Sequence, residues 1–490
     1  MTLDALQQFV STPLAAVLDQ HRNAPPEARA LELFHSVAAA VPGYRDFLAK
    51  HGIDVARIRS YEEFRSVPLT TKQNYMLAYP LPELCREGRV GEMVAVSSGS
   101  TGKPLFWPRS LEHELDVARR FEQVFHGSFQ ADSRNTLVIV CFALGAWVGG
   151  MYTAACCRYL ARKGYRLTLV TPGNNKGEIF RVVNELAPHF EQVVLAGYPP
   201  FIKEVVDSGI ALGIDWRHHR VKLILAGEVF SEEWRTLVCE RVGARDPLHD
   251  TASLYGTADG GVLGVETPVS IAIRRFFSAH PDAARDVFGE SRLPTLAQYD
   301  PLSRFFETHE GTLVVTGENG VPLLRYHIAD TGGVFAFNGL LSKVKGFGDE
   351  PLAQLANSRG AYSLPFVYLF GRADFTVSYY GANVYPENVS VGLEHPNIRD
   401  WVSGKFVLEV NETEDRDQVL RVVVELAPGV TEREGMRVTI SSSIREQLIR
   451  QNSEFANYVP EARQLPQVVL KPAGDPENFP VGVKHRYTRR

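Results

Sequence analysis

The most specific stretch of this sequence is Ser97-Ser98-Gly99-Ser100-Thr101-Gly102-Lys103-Pro104, which follows the apolar run Met93-Val94-Ala95-Val96. An apolar run that ends in small hydroxyl residues and glycines is typical of a buried strand entering a loop whose backbone amides face a phosphate. The glycines permit close approach, the hydroxyl groups add donors, and Lys103 adds a positive charge. The stretch therefore predicts a polyphosphate-binding loop, although a polar surface loop has a similar composition.

This loop differs from the mononucleotide-binding loop of GTPases and related ATPases. That pattern requires Gly at the position of Ser97 and Ser or Thr at the position of Pro104. The rest of the chain must therefore decide which phosphate-binding class is present.

Length and composition favour a multidomain protein that acts on a small molecule. The chain has 490 residues, more than one hydrophobic core usually holds, so we expect two or more domains. A net charge of −5 argues against a nucleic-acid-binding surface as the main function. The five cysteines lack the spacing of zinc sites or of a disulfide framework, and the N-terminus shows no secretory signal, so we expect a cytoplasmic protein with reduced thiols.

One uncharged segment, residues 136–157, is about long enough to cross a bilayer. Its first part is rich in β-branched residues, and Gly145, Gly149 and Gly150 interrupt it. These features predict a buried strand, a turn and a helix, so we expect no membrane span.

Apolar strand-like runs alternate with helical stretches between residues 94 and 315, which predicts a layered α/β fold. The clearest strands are predicted over residues 136–142, 167–170, 192–196 and 221–226. In such sheets the ligand site lies beyond the carboxyl ends of the strands, where the loop at 97–104 would join the loops after these strands. Helices precede this region, and Thr70 or Thr71 is placed to cap a helix through Tyr75 and Met76.

The last part of the chain predicts a second, smaller domain. Residues 337–365 are rich in glycine and polar residues, which indicates a loop-rich excursion. Beyond Gly371 we expect strands at 405–410, 419–426 and 467–470 and a helix near 444–455. The predicted domains are therefore residues 1–370 and residues 371–490.

Several stretches occur in the order of the motifs of adenylate-forming enzymes, and the chain most resembles the phenylacetate–CoA ligases. Besides residues 97–104, they are Ala226-Gly227-Glu228, Tyr255-Gly256-Thr257-Ala258-Asp259, residues 325–330, Gly371-Arg372-Ala373-Asp374 and residues 381–386. Residues 68–72 and the ending Lys484-His485-Arg486-Tyr487-Thr488-Arg489-Arg490 also resemble that branch. Taken singly, each motif fits an ordinary turn or a surface ion pair, so the order carries the resemblance.

The resemblance implies a large layered α/β N-terminal domain that binds ATP and a carboxylic acid, and a small mobile α/β C-terminal lid. The carboxylate attacks the α-phosphate of ATP and releases pyrophosphate, after which a nucleophile, usually the thiol of coenzyme A, takes the acyl group from AMP. Because a carboxylate anion must meet a polyanion, the chemistry requires positioning and charge neutralisation, and Mg²⁺ is expected.

Roles carried over by the resemblance fall on matching positions. Residues 97–103 would hold the β- and γ-phosphates. The nucleotide would also contact Gly227, Glu228, Tyr255, Gly256, Thr257, the ribose-binding Asp330 and Arg372. Asp259 stands where the family has a metal-binding Glu, and a shorter carboxylate also suits Mg²⁺. Asp374 would lie at the hinge, and Lys484 would neutralise charge as the adenylate forms.

The acid pocket is predicted from the loops and the helix start that the fold turns toward the ligand. Its residues are Phe142, Leu144, Trp147, Met151 and Tyr198. These side chains favour an aromatic or otherwise apolar acid. An amino-acid substrate would need a carboxylate to pair with its ammonium group, and this set offers none.

Three departures from the family pattern leave other hypotheses open. Ala258 removes a hydroxyl, Ala329 replaces the Gly before the ribose-binding Asp, and Val483 replaces the Gly before Lys484. The acyl group could pass to an amine, a hydroxyl or a carrier-protein thiol, or the chain could be a nucleotide-binding scaffold without catalysis. The sequence does not determine the oligomeric state, and a homodimer is left open.

The role of Lys484 generates a kinetic prediction. We expect Lys484→Ala to lower the rate of acyl-adenylate formation much more than the affinity for ATP, because the charge matters as the adenylate forms. Pyrophosphate exchange and ATP binding measure the two effects. Equal losses in both would count against the assigned role.

Overall fold

The computed structural model describes residues 2–22, 24–96, 105–145, 148–290, 293–348, 355, 359–372, 377–380, 382–412, 418–452, 455–456, 459–480, 485 and 487–488. The predicted site residues at 97–103, Trp147, Asp374 and Lys484 lie outside these ranges. For Arg372 the backbone alone is described.

Helices and strands alternate through most of the described chain. The α-helices are α1 (Thr2–Ser11), α2 (Leu14–Arg22), α3 (Pro26–Ala40), α4 (Pro42–Lys50), α5 (Tyr61–Phe64), α6 (Leu111–Gly127), α7 (Val148–Lys163), α8 (Lys176–Leu186), α9 (Pro199–Ala211), α10 (Glu232–Val242), α11 (Pro247–Asp250), α12 (Pro268–Ala279), α13 (Pro281–Phe288), α14 (Phe337–Lys345), α15 (Pro386–Leu393) and α16 (Met436–Gln451). The strands are β1 (Met93–Val96), β2 (Phe106–Arg109), β3 (Thr136–Val140), β4 (Leu167–Val170), β5 (Gln192–Gly197), β6 (Val221–Ala226), β7 (Thr251–Thr257), β8 (Gly261–Val265), β9 (Thr295–Gln298), β10 (Phe305–His309), β11 (Thr312–Gly317), β12 (Leu323–Phe335), β13 (Phe366–Arg372), β14 (Val377–Tyr379), β15 (Ala382–Val384), β16 (Val402–Glu412), β17 (Gln418–Leu426) and β18 (Gln467–Lys471).

An eleven-stranded sheet forms the centre of the molecule, in the order β10-β11-β12-β13-β9-β8-β7-β6-β5-β3-β4. The last five strands of this order run parallel to one another, from β7 to β4. Every other neighbouring pair in the sheet, from β10–β11 to β8–β7, is antiparallel. The predicted strands at 136–142, 167–170, 192–196 and 221–226 all lie in the parallel half. The layered α/β prediction is therefore confirmed.

Strand β3 shows why this half of the sheet carries helices on both faces. Val138 and Val140 pack into one apolar cluster with α6 and α7, while Leu137 and Ile139 pack into another with α8, α9 and α10. Alternate residues of a strand face opposite sides, so an unbroken apolar run is buried twice. Among the described residues, no helix has the length and apolar content that a membrane crossing requires.

The segment at 70–76 resolves the predicted choice between two threonines. Thr71 caps a π-helix at Lys72–Met76 in a reciprocal capping box with Asn74. The buried hydroxyl of Thr70 instead donates to the carbonyl of Leu324 at 2.9 Å. Thr70 thus ties the N-terminal region to β12, and Thr71 begins the helical turn.

The expected loop over residues 337–365 is wrong in its first part, where α14 forms. Leu340 and Val344, one helical turn apart, are fully buried, and the rings of Phe337 and Phe366 stack with centroids 5.9 Å apart. Apolar residues at this spacing favour a helix, and the neighbouring glycines and lysines obscured that pattern.

A smaller α/β unit follows the large sheet. Strands β16, β17 and β18 form one sheet, and β14 pairs with β15 in another. Helices α15 and α16 pack in one apolar cluster with these strands. Helix α16 begins at Met436, eight residues before the predicted start. Gly371 and Arg372 end β13 and still pair with β12. The predicted domain boundary therefore falls at the last strand of the large sheet, and the division itself stays a prediction.

The C-terminal unit packs against α9 and both ends of α10 through polar contacts. Lys203 of α9 donates to the carbonyl of Val402 at 3.0 Å, and Lys405 donates to Glu204 at 2.6 Å. The hydroxyl of Ser231, the N-cap of α10, donates to Glu394.

A buried arginine anchors α10 to the strand that leads into the candidate site. Arg235 is fully buried and donates to Glu232 at 2.9 Å and to Glu266 at 2.8 Å. Glu266 in turn accepts the backbone N–H of Ser253 in β7 at 2.9 Å. Removal of this guanidinium would leave Glu232 with Arg274, which bonds it at 2.5 Å, but would leave Glu266 with the Arg274 guanidinium only at 3.9 Å.

Because Glu266 would then lack a cation within hydrogen-bond distance, we expect Arg235→Met to lower the free energy of unfolding by about 3 kcal/mol. Arg181→Met is the matched control, because Arg181 also pairs with two glutamates, Glu178 and Glu185, but its side chain is 56% exposed. Its effect should be far smaller. Urea unfolding measures both, and similar losses would contradict the role given to Arg235.

Candidate active site

The carboxyl ends of β3, β5 and β6 meet at one edge of the sheet, because these strands are parallel neighbours. Phe142 follows β3 and Tyr198 follows β5, and their rings meet edge to face with centroids 5.0 Å apart. Leu144 packs partly buried beside them and Met151 lies half-buried in α7. Four of the five predicted acid-pocket residues thus lie at this edge or in the helix behind it.

Gly227 shapes the turn after β6. Its φ is +86°, a conformation that favours glycine, and a Cβ at this position would lie 2.7 Å from Cε1 of Tyr198. Burial raises the pKa of Tyr198, with a further contribution from the negative charge of Glu228. The glycine therefore lets the Tyr198 ring lie directly against the predicted nucleotide-side turn.

Asp330 lies in β12 and is buried. It accepts a hydrogen bond of 2.8 Å from the hydroxyl of Tyr255 in β7, and it stands opposite Arg372 in the register of β12 and β13. Ala329 has a φ of +65°, which explains structurally why glycine is favoured at the position before this aspartate.

Asp259 lies in the turn between β7 and β8. Its carboxylate accepts a hydrogen bond of 2.6 Å from Tyr326 of β12, and its carbonyl accepts one of 3.1 Å from the side chain of Asn319. Asn319 is held by the buried Arg304 at 2.8 Å. The hydroxyl of Thr257 accepts the backbone N–H of Gly260 at 2.9 Å, which closes the same turn.

These contacts form two reciprocal pairs between the same chain segments. Tyr255 of the first segment bonds Asp330 of the second, and Tyr326 of the second bonds Asp259 of the first. The two acids predicted to organise the sugar and the metal therefore lie on segments that are joined by these two bonds. Each pair thus presents a carboxylate, whose oxygen acceptors are the atoms that ribose hydroxyls and a hydrated cation bind.

The strands that flank the predicted phosphate loop, β1 and β2, lie beside the turn that carries Asp259. Strands β1 and β2 pair antiparallel up to Val96 and Phe106. A Cβ on Gly320, next to Asn319, would lie 1.8 Å from the carbonyl oxygen of Pro108 in β2. Backbone contact therefore places the hairpin next to the residues that hold Asp259.

The metal prediction rests on Asp259 alone. Among the described residues, no group of three or more His, Cys, Asp or Glu side chains is placed to hold a metal ion. Mg²⁺ in nucleotide sites is usually bound through one or two carboxylates plus substrate phosphates and water, so a single carboxylate here fits that requirement.

Glu228 is contacted from the C-terminal unit. The hydroxyl of Tyr487 donates to its carboxylate at 2.7 Å. Sequence reasoning missed the roles of four residues that support the site. Asn319, Arg304 and Tyr326 support Asp259, and Tyr487 donates a hydrogen bond to Glu228. Tyr326 and Tyr487 stand inside stretches that carry the resemblance, but nothing in one sequence identifies their partners.

No protein-family model matches the chain, and no curated protein matches its sequence. Solved structures nevertheless share its fold, and they define a class: the chain has the fold of adenylate-forming acyl-CoA ligases.

The particular structures are only distantly similar in sequence. 2-Hydroxyisobutyryl-CoA ligase in the postadenylation state, in complex with R3-HIB-AMP, overlaps with a TM-score of 0.61 at 15% identity, covering 95% of this chain and 88% of that chain. The same ligase with 2-HIB-AMP and CoA in the thioesterification state gives 0.52 at 16% identity, covering 99% and 91%. The amide bond synthetase McbA from Marinactinospora thermotolerans gives 0.44 at 14% identity, covering 77% and 65%.

The contact between Gly227 and Tyr198 generates a stability prediction. We expect Gly227→Ala to destabilise the protein by more than the roughly 1–2 kcal/mol that a left-handed conformation costs a non-glycine residue, because the new methyl group also displaces the Tyr198 ring. Gly213→Ala is the matched control, since Gly213 has a φ of +85° with nothing within 4 Å of an added Cβ. Equal losses of unfolding free energy in the two variants would show that the ring contact is unimportant.

Proposed function

We propose that this protein is an ATP-dependent ligase that activates a carboxylic acid as an acyl-adenylate and then transfers the acyl group to coenzyme A. The observation that carries the proposal is the pair of reciprocal bonds, Tyr255 to Asp330 and Tyr326 to Asp259. They fix both carboxylates on one pair of segments, and the Asp259 turn of that pair lies beside the hairpin of the predicted phosphate loop. The shared fold supports the same class of reaction.

In the first step an oxygen of the substrate carboxylate forms a bond to the α-phosphorus of ATP. The bond between that phosphorus and the bridging oxygen to the β-phosphate breaks, and pyrophosphate leaves with the electron pair. In this proposal Asp330 accepts hydrogen bonds from the ribose hydroxyls, and Glu228 and Gly227 line the nucleotide. Lys484 and the loop at 97–103 supply the positive charge and donors that the phosphates require.

Asp259 would hold Mg²⁺, which supplies charge neutralisation at the phosphates. The Tyr326 hydroxyl orients the Asp259 carboxylate, and Asn319 fixes its backbone. This arrangement holds a carboxylate at a fixed position before the nucleotide binds, which reduces the ordering cost on binding.

In the second step the thiolate of coenzyme A attacks the acyl carbon, a thioester bond forms, and AMP leaves. The solved 2-hydroxyisobutyryl-CoA ligase complexes with CoA support this acceptor through the common fold. Transfer to an amine, a hydroxyl or a carrier-protein thiol, and a scaffold without catalysis, are the alternative outcomes of the experiment.

We further propose an aromatic or apolar acid, as in the phenylacetate–CoA ligases that the motifs resemble. The support is the apolar wall made by Phe142, Leu144 and Tyr198.

We also propose a cytoplasmic location for the protein. The support is that its five cysteines are buried as free thiols.

The test is acid-dependent exchange of labelled pyrophosphate into ATP. The acids tested are a panel that contains phenylacetate, benzoate and 2-hydroxyisobutyrate. We expect the rate of exchange to be highest with an aromatic acid, and we expect EDTA to abolish exchange. AMP release under turnover should then require coenzyme A.

Asp330→Asn serves as the site control, since it removes the charge but keeps the shape, and it should raise the KM for ATP. Absence of exchange with every acid would leave the scaffold hypothesis, and AMP release without coenzyme A would favour another acceptor. Fastest exchange with a small aliphatic acid would refute the aromatic pocket alone.

A further inference from the structure

The end of the chain adds an edge to the small C-terminal sheet. The backbone N–H of Leu408 donates to the carbonyl of Tyr487 at 2.6 Å, and Leu408 forms a parallel bridge with Thr488. The ring of His485 bonds the carbonyl of Phe406 at 2.6 Å. The Tyr487 ring packs against Phe406 and His485 with centroids 5.0 and 4.5 Å apart. The position of Tyr487 on this sheet is therefore fixed by backbone and ring contacts together.

The hydroxyl of Tyr487 leaves this sheet and reaches the N-terminal part of the molecule. It donates to the Glu228 carboxylate at 2.7 Å. Burial, followed by the negative charge of Glu228, raises the pKa of Tyr487 well above its ordinary value, so the hydroxyl stays protonated at neutral pH. A hydrogen bond from a buried donor to a charged acceptor is stronger and more directional than one between neutral groups.

The far end of this bond lies in the turn predicted to bind the nucleotide. Glu228 follows Gly227, against which the Tyr198 ring packs. The other polar contacts described between the two units involve α9 and both ends of α10. They are made by Lys203, Lys405, Ser231, Arg241 with Asp400 at 2.8 Å, and Arg399 with Glu240 at 3.3 Å. Among the described contacts, the bond of Tyr487 is the one that joins the C-terminal tail to a predicted nucleotide-binding residue.

From this geometry we infer that Tyr487 is a positioning residue which, through Glu228, fixes the C-terminal tail on the nucleotide turn in the orientation used for adenylation. The inference rests on the proposed function, in which Lys484, three residues earlier in the chain, serves that step. In this role Tyr487 acts through Glu228 and not on the reacting atoms. In the proposed function the C-terminal unit turns away for acyl transfer, so the bond to Glu228 would break between the two half-reactions.

The experiment compares Tyr487→Phe with the unaltered protein in each half-reaction separately. Acid-dependent pyrophosphate exchange, run with the acid of the panel that supports the fastest exchange, should fall about 10-fold or more. Thioester formation from the isolated acyl-adenylate and coenzyme A should be equal or faster, since the broken bond no longer opposes reorientation. A purely structural role would lower both rates together.

Tyr159→Phe is the matched control, because Tyr159 also donates to a glutamate, Glu114, at 2.7 Å, but within the N-terminal part. It should leave the ratio of the two half-reactions unchanged. Glu228→Gln tests the coupling: the double variant with Tyr487→Phe should adenylate no more slowly than the slower single variant. Additive losses, or Tyr487→Phe exchange within twofold of the unaltered protein, would overturn the inference.

A measurement without substrate separates this inference from the proposed function. Hydrogen–deuterium exchange should show faster exchange of the amides at 405–410 and 226–230 in Tyr487→Phe, and no such change in Tyr159→Phe. If no acid supports exchange in the unaltered protein, the proposed function fails, while faster amide exchange would still establish the tail contact. Unchanged amide exchange would refute the contact itself.

Discussion

Two tyrosine–aspartate hydrogen bonds hold together the segments on which the candidate active site depends. Tyr255 and Asp259 come from β7 and its turn, while Tyr326 and Asp330 come from β12, and each tyrosine bonds the aspartate of the other segment. Because the donors and acceptors are exchanged between the segments, neither can slide along the other without breaking both bonds. In a low-dielectric interior such paired bonds reinforce each other and define one register.

The position of the turn that carries Asp259, between β7 and β8, depends on side chains packed behind it. Arg304 is almost completely buried, donates to Asn319, and forms an ion pair with Asp116 at 3.2 Å. Asn319 then holds the backbone of Asp259, and its neighbour Gly320 lies against the β2 backbone. A buried arginine is stable when its charge is paired. The ion pair between Arg304 and Asp116 of α6 therefore also holds Arg304 in place to fix the Asp259 turn through Asn319. Stability and site geometry thus rest on the same side chains.

The sequence predicts well what is encoded locally. Strands such as β3 and β5 follow from unbroken apolar runs, and Thr71 from its capping chemistry, because these signals lie within a few neighbouring residues. The order of the motifs predicted that the segments of Asp259 and Asp330 come together, and the tyrosine bonds join these segments. The tyrosine partners could not be predicted, since pairing across about 70 residues depends on sheet register. Helix α14 was missed because Leu340 and Val344 give only one turn of periodicity.

The face that receives the C-terminal unit is built so that separation leaves its charges paired. Glu204 bonds Lys405 of the C-terminal unit at 2.6 Å, but also Lys176 of α8 at 2.7 Å. Lys203 likewise keeps Asp207 at 2.9 Å when its bond to the C-terminal unit is lost. A buried charge that loses its only partner is costly, whereas one with a second partner on its own side is not. Such an interface favours reversible docking, which the proposed two-step reaction requires, and polar contacts of this kind are typical of domains that move.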